Sequence, residues 1–215
     1  MAQVVIAARG GRGAKSRCAD TLGPADRSAL TAVMLEDMLA AVAACVEVSA
    51  AWVVTPTPEL ATIAAAGGAR VLRQDEPATL NAAFALALAE LRERAPYEPV
   101  MLMPGDLPLL KPDDLAAAVL LARTHAVVLA PSLDGGTGLV GLRAGVALTP
   151  RFGPDSFRRH AAAAARQGLP VAVLGATSLS HDVDRAQDLF RVLEEAPGAR
   201  TACFLRERLQ PGVAR

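Results

Sequence analysis

Straight after the apolar run Val100–Met103 the chain reads Pro104-Gly105-Asp106-Leu107-Pro108. A buried strand that stops at a proline and turns on a glycine throws the next side chain out at its end, and Pro108 stiffens the exit. A carboxylate fixed in this way suits a hard divalent cation, which takes oxygen ligands, often one or two carboxylates together with substrate phosphates. An aspartate that merely caps the turn is the plainer account of the same residue. A second acidic pair lies in His181-Asp182-Val183-Asp184. Residues i and i+2 of an extended segment share a face, so Asp182 and Asp184 aim at one point while Val183 packs behind them. The competing role is that of N-cap for a helix starting near Arg185, for which Asp184 is the better placed of the two. His181 reads as a surface or supporting residue rather than a ligand.

Cationic groups come from Arg9-Gly10-Gly11-Arg12-Gly13-Ala14-Lys15-Ser16-Arg17, just after the first apolar run. Glycines let backbone N–H groups approach a phosphate closely, and the basic side chains supply charge. The loop is not a Walker A motif, which would require glycine where Arg9 and Ala14 stand, nor a dinucleotide fingerprint, because Ser16 replaces the third glycine. A softer feature is Arg151-Phe152-Gly153-Pro154-Asp155-Ser156-Phe157-Arg158-Arg159-His160. Pro154 suits a first helical position, which predicts that Gly153 and Ser156 lie at a helix N-terminus, where free N–H groups attract anions.

The elements that must position these groups alternate short aliphatic runs with longer Ala/Leu-rich segments of helical period. Strands are predicted over Gln3–Ala8, Ala50–Thr55, Ala69–Leu72, Val100–Met103, Val127–Ala130, Leu139–Leu142 and Val171–Leu174. Helices are predicted over about Ser28–Ala44, with the stripe Leu30, Met34, Met38, Val42 and Cys45, and over about Leu80–Arg94, with Leu80, Phe84, Leu88 and Leu91. Pro58 and Pro112 suit helix starts. The pattern predicts a single-domain α/β fold, a three-layer αβα sandwich around a mostly parallel sheet, over residues 1–195, with a short C-terminal extension over 196–215. Ligands of such sheets bind outside the carboxyl ends of the strands, which is where the loop after Ala8, Asp106 and the 182/184 pair all fall.

Composition narrows the partners. The chain has 215 residues, with 22 basic against 22 acidic side chains, which lacks the basic footprint of a nucleic-acid binder and leaves a small anionic ligand open. No apolar run is long enough to span a membrane. Cys18, Cys45 and Cys203 are odd in number and form no Cys-x-x-Cys pair, against a disulfide framework or a zinc site, so a reducing cytoplasm is expected. Lys15 and Lys111 are the two lysines in a chain otherwise supplied with arginine, and Lys15 stands in the glycine loop.

With those residues in view, the chain resembles the guanylyltransferases of deazaflavin coenzyme F420 biosynthesis, the 2-phospho-L-lactate or phosphoenolpyruvate guanylyltransferase family among the molybdopterin-guanylyltransferase-like enzymes. The matching pieces are Ala14-Lys15-Ser16-Arg17, Met34-Leu35-Glu36-Asp37, Val53-Val54-Thr55-Pro56, Leu80-Asn81-Ala82-Ala83, Pro104 to Leu110, Arg151-Phe152-Gly153-Pro154 and Asp182-Val183-Asp184. The resemblance implies a nucleotide-diphospho-sugar transferase-like fold, with Mg2+ on Asp106, Asp182 and Asp184 and catalysis by Lys15, Arg17 and Asp106. It implies a GTP site with Arg9, Gly10, Gly11, Gly13, Lys15, Asn81 and Gly105, and an acceptor site with Thr137, Gly138, Leu139, Gly153 and Ser156. The implied reaction moves GMP from GTP to the phosphate of 2-phospho-L-lactate, phosphoenolpyruvate or 3-phosphoglycerate and releases pyrophosphate; a homodimer is also expected. The chain departs from the family pattern where Leu139 replaces a threonine, Arg9 a lysine, Ala7-Ala8 a Pro-Val pair and His181 an apolar residue. Rival readings are a molybdenum-cofactor or sugar-phosphate nucleotidyltransferase and a GTP-binding regulator without turnover.

Overall fold

All six residues of Ala2–Ala7 are buried, which requires a strand covered on both faces. In the computed structural model, which describes residues 1–11, 13–74 and 79–209, this strand (β1) lies inside a seven-stranded sheet. The other strands are β2 (Val48–Thr55), β3 (Arg70–Arg73), β4 (Val100–Pro104), β5 (Val127–Pro131), β6 (Thr137–Leu142) and β7 (Val171–Val173), so each predicted strand is present with its ends moved by no more than two residues. The order is β3-β2-β1-β4-β6-β5-β7, and β6 alone among them runs antiparallel to its neighbours.

Helices cover both faces. They are α1 (Pro24–Ala44), α2 (Pro58–Ala66), α3 (Leu80–Arg94), α4 (Pro112–Thr124), α5 (Ser156–Arg166), α6 (Ala186–Glu195) and α7 (Arg200–Leu209). Alternation along β1 sends Val4 and Ile6 into the layer with Leu35, Met38, Leu60 and Leu115, and Val5 and Ala7 into the layer with Phe84, Leu91 and Ala163. The Leu30, Met34, Met38, Val42 and Cys45 stripe of α1 is buried as expected, so its methionines fill core space. The helix starts earlier than Ser28, at Pro24 with Gly23 as N-cap, because a proline at the first position loses no helical hydrogen bond.

One expectation about local structure needs correction. Pro154 does not open a helix: α5 begins at Ser156, behind Asp155 with its φ of 52° and Gly153 with its φ of 120°, so the chain turns twice through left-handed backbone before the helix can start. The segment expected as a C-terminal extension carries helix α7 over Arg200–Leu209. Thr201, Ala202 and Leu205 are buried there, in a cluster with Leu30 and Met34 of α1 and Leu189 and Val192 of α6. Asp37 of α1 accepts the free N–H groups of Arg200 and Thr201 at 3.0 and 2.8 Å, which caps α7 from another element. No helix among the described residues is long and apolar enough to cross a membrane.

Strands β2 and β3 follow β1 on one side and β4 returns on the other, so the order reverses between β1 and β4. The crevice at such a switch point is where ligands of open α/β sheets bind. If α7 belongs to the same cooperative unit, Leu205→Ala is expected to cost about 3 kcal/mol and to lower a single unfolding transition. Denaturation followed by circular dichroism checks this; an unchanged midpoint would show that α7 is dispensable to the fold.

Candidate active site

Gly105 makes the crevice possible. Its N–H donates to the Ala7 carbonyl at 2.9 Å, and a Cβ added there would lie 2.7 Å from Ala8 Cβ, so the ends of β1 and β4 close up only around glycine. Asp106 follows, at the mouth of a cleft of about 390 Å3 lined by residues 7–9, 14–17, Thr31, Leu80, Pro104, Gly105, Asp106 and Asp184. The backbone then brings the other acidic segment in: the Val183 N–H donates to the Asp106 carbonyl at 3.0 Å while the Val183 side chain is buried. With Val183 pinned, Asp182 and Asp184 flank Asp106, and one carboxylate oxygen from each of the three lies within 4.8 Å of the others.

Asp184 is not a helix cap. Asp188 accepts the N–H groups of Asp184 and Arg185 at 2.9 and 2.7 Å, which frees the Asp184 carboxylate for Lys15 at 3.1 Å and Arg17 at 3.1 Å. Lys15 Nζ also donates to Asp106 Oδ2 at 2.6 Å. Lys15 takes left-handed backbone, φ 49°, ahead of the short 3-10 turn Ser16–Cys18. The largely buried Arg27 holds this loop by donating to the carbonyls of Ala14 at 3.1 Å and Leu22 at 2.8 Å. Burial works against the charge on Lys15, but the carboxylates of Asp106 and Asp184 outweigh it and raise the ammonium to about 12. Asp182 moves the opposite way for an acid: burial, then the nearby charges of Asp106, Asp134 and Asp184, push it up to about 6.

Crowded carboxylates with an orphaned oxygen fit a divalent cation. Asp106 Oδ1 is buried and has no hydrogen-bond partner among the described residues. An ion coordinated by Asp106, Asp182 and Asp184 would satisfy that oxygen and relieve the repulsion that raises Asp182. Asp134 was missed in the sequence because Asp134-Gly135-Gly136 reads as an ordinary turn. Its carboxylate does serve that turn, accepting Ser132 Oγ–H at 2.7 Å and Gly136 N–H at 2.8 Å, yet it also faces Asp182.

Other expected site residues are placed differently. Arg9 lines both the Lys15 cleft and an adjoining one of about 400 Å3, which shares Ala7, Ala8 and Leu80 and adds Val54, Pro56 and Gln74. The Gly10 N–H is committed to Thr57 Oγ1 at 3.1 Å, and Gly11 sits at φ 95° in a tight turn with its carbonyl bonded by Ala14. Gly13 is exposed, and Arg12 lies outside the described residues. Both polar atoms of Asn81 are taken up by the backbone of Phe152, at 2.7 and 3.1 Å, so Asn81 clamps the loop before α5 onto α3.

The acceptor group splits. Ser156 Oγ and Thr137 Oγ1 are 2.9 Å apart, with Gly153 in the adjoining turn. Leu139 does not join them. Its side chain is fully buried in the core layer with Met101, Met103 and Ala130. The cause is a register shift: Pro131 pairs with Thr137 but Ala130 with Leu139, leaving Gly138 as an extra residue that rotates Thr137 to the other face. A Cβ on Gly138 would lie 1.7 Å from the Leu179 carbonyl, so the bulge requires glycine. His160, present in the sequence run but assigned no role there, reaches Thr137 Oγ1 with Nδ1 at 3.1 Å and the Arg151 N–H with Nε2 at 2.8 Å.

Comparison with known proteins adds the family. The family model described as "Guanylyl transferase CofC like" matches residues 2–211. This chain belongs to that family. It is 51% identical over 210 residues, 96% of each chain, to a protein named 3-phospho-D-glycerate guanylyltransferase from Phenylobacterium zucineum. It is 39% identical over 200 residues, 90% of this chain and 86% of the other, to one named phosphoenolpyruvate guanylyltransferase from Nocardia farcinica. Among solved structures, a putative nucleotide-diphospho-sugar transferase from Desulfovibrio desulfuricans shares the fold, with a TM-score of 0.80 at 20% identity over 96% of this chain and 95% of that one.

Two outcomes are expected. Asp106→Asn keeps the shape of the site and removes its central charge, so titration calorimetry with Mn2+ or Mg2+ should show affinity lowered by about tenfold or more; unchanged affinity would reject Asp106 as a ligand. His160 is held neutral by burial and by the charges of Arg159 and Arg151, which lower it to about 4 from 6.5. Between those values the unfolded chain binds the extra proton, so stability is lost as pH falls from about 6.5 towards 4. Denaturation at stepped pH should show that loss in wild type and a flatter profile in His160→Leu.

Proposed function

We propose that the protein transfers GMP from GTP to the phosphate of a three-carbon phospho-acid, with 3-phospho-D-glycerate as its preferred acceptor, in the assembly of coenzyme F420. The observation that carries the reading is the meeting of Lys15, Arg17, Asp106, Asp182 and Asp184 at the sheet's switch point in a member of the guanylyl transferase family. The acceptor preference rests on the 51% identity with a relative named for that acid.

In this reaction an oxygen of the acceptor phosphate bonds to the α-phosphorus of GTP, the bond to the β-phosphate bridging oxygen breaks, and pyrophosphate leaves. A phosphate monoester is already largely ionised near neutral pH, its second pKa being about 6, so the nucleophile needs no general base. Mg2+ bound by Asp106, Asp182 and Asp184 would supply charge stabilisation on the phosphates as they rearrange. Lys15, with its ammonium raised to about 12, stays charged throughout the working range and would hold the β- and γ-phosphates. The Arg17 side chain is 65% exposed and would turn from Asp184 onto the departing pyrophosphate. Arg9 stands between the two adjoining clefts, where triphosphate and nucleoside would join.

Of the two departures that favour a regulator without turnover, Leu139 is packed in the core and Arg9 lines both clefts.

The test is pyrophosphate release from GTP and Mg2+ with 3-phospho-D-glycerate, phosphoenolpyruvate and 2-phospho-L-lactate in turn, with the product confirmed by mass. The highest kcat/KM is expected with 3-phospho-D-glycerate, no activity in EDTA, and kcat reduced about 10^2-fold or more in Lys15→Met. Silence with all three acids would overturn the acceptor class, and GTP binding without release on any acceptor would favour the regulator.

A further inference from the structure

The geometry points to His160 as a positioning residue of the acceptor site: its tautomer determines whether the Thr137–Ser156 hydroxyl pair has a proton to give to an anion. This rests on the reading of Thr137, Gly153 and Ser156 as the acceptor pocket. His160 is fully buried on α5, its ring 5.0 Å from that of Phe152 in an edge-on contact. Its two nitrogens face different elements. Nε2 lies 2.8 Å from the backbone N–H of Arg151, which can only donate, so Nε2 must be the bare, accepting nitrogen. In a neutral ring the proton then sits on Nδ1, which faces Thr137 Oγ1 at 3.1 Å.

Thr137 and Ser156 together own two hydroxyl protons, and one of them lies between the two oxygens, 2.9 Å apart. With Nδ1 protonated, the imidazole cannot accept the second, which is left to point at a ligand. With the other tautomer, Thr137 would donate to Nδ1, Ser156 to Thr137, and the pair would have no proton to offer. An anion such as a phosphate or carboxylate accepts hydrogen bonds and donates none, so only the first arrangement serves it. The loop that carries Arg151 is thereby coupled to the acceptor pocket through one ring, and Asn81 holds the next residue of that loop, Phe152, from α3. Burial and the charges of Arg159 and Arg151 keep the ring neutral, as the counting requires.

The experiment has two arms. In the substrate-free wild type, 15N-detected NMR of the His160 ring should show the Nδ1–H tautomer, and the Nε2–H tautomer would overturn the proposal. In steady-state kinetics, His160→Leu and Thr137→Val should each raise the KM for 3-phospho-D-glycerate about tenfold while the KM for GTP stays within about twofold. The double variant should be no worse than Thr137→Val alone, because His160 reaches the acceptor only through the Thr137 hydroxyl that its Nδ1–H orients. Effects that multiply, or a His160→Leu protein that is less stable with an unchanged acceptor KM, would reduce His160 to a packing role and overturn the proposal. Wild-type protein that turns over no phospho-acid would overturn the acceptor reading instead, and the tautomer measured without substrate keeps that failure separate from this one.

Discussion

Carboxylates from two distant parts of the chain repel one another, and the ammonium of Lys15 is what lets two of them share a crevice. It lies between Asp106, 91 residues away, and Asp184, 169 residues away. Removing charge from water is costly, and a partly buried ammonium is tolerated because both partners are hydrogen-bonded to it. The surrounding structure serves this contact. Arg27 shapes the loop that carries Lys15, Gly105 lets β4 end against β1, and the Val183 amide fastens the last acidic segment to the Asp106 carbonyl. The cluster is therefore both a structural tie and the charged centre of the proposed chemistry.

Much of this was legible in the sequence because it follows from local rules. Strand and helix periods located the sheet, and the proline and glycine around Asp106 announced a strand end. The i, i+2 spacing of Asp182 and Asp184 placed them on one face. What was not legible depends on long-range partners. Nothing in the sequence says that Asp188, rather than Asp184, accepts the N–H groups at the start of α6, or that Asn81 clamps the backbone of Phe152.

Leu139 illustrates the same limit in a strand. Simple alternation puts residues 137 and 139 on one face, and on that assumption a lost hydroxyl at 139 threatens the acceptor pocket. The bulge at Gly138 separates the two, sending Leu139 into the core and Thr137 to α5. The cue was the close spacing of glycines in Gly135-Gly136-Thr137-Gly138, but a bulge is confirmed only by its partner strand and by the Leu179 carbonyl that excludes a side chain. His160 was hidden for a related reason. A buried histidine usually reads as core, and its role emerges from the two different groups that its nitrogens face.

The reversed direction of β6 has a consequence for how such a protein can diversify. Strands β1 to β4 deliver their residues to the proposed ligand edge as they end, each followed by a loop leading to the next crossover. β6 instead begins at that edge, fed from β5 by the short hairpin between Pro131 and Thr137. A hairpin can change length or composition without shifting the register of β1, β2 and β4, on which the charged cluster depends. The side that would grip the acid is thus modular with respect to the side that would grip the nucleotide, and relatives with one scaffold can come to bear the names of different three-carbon acids.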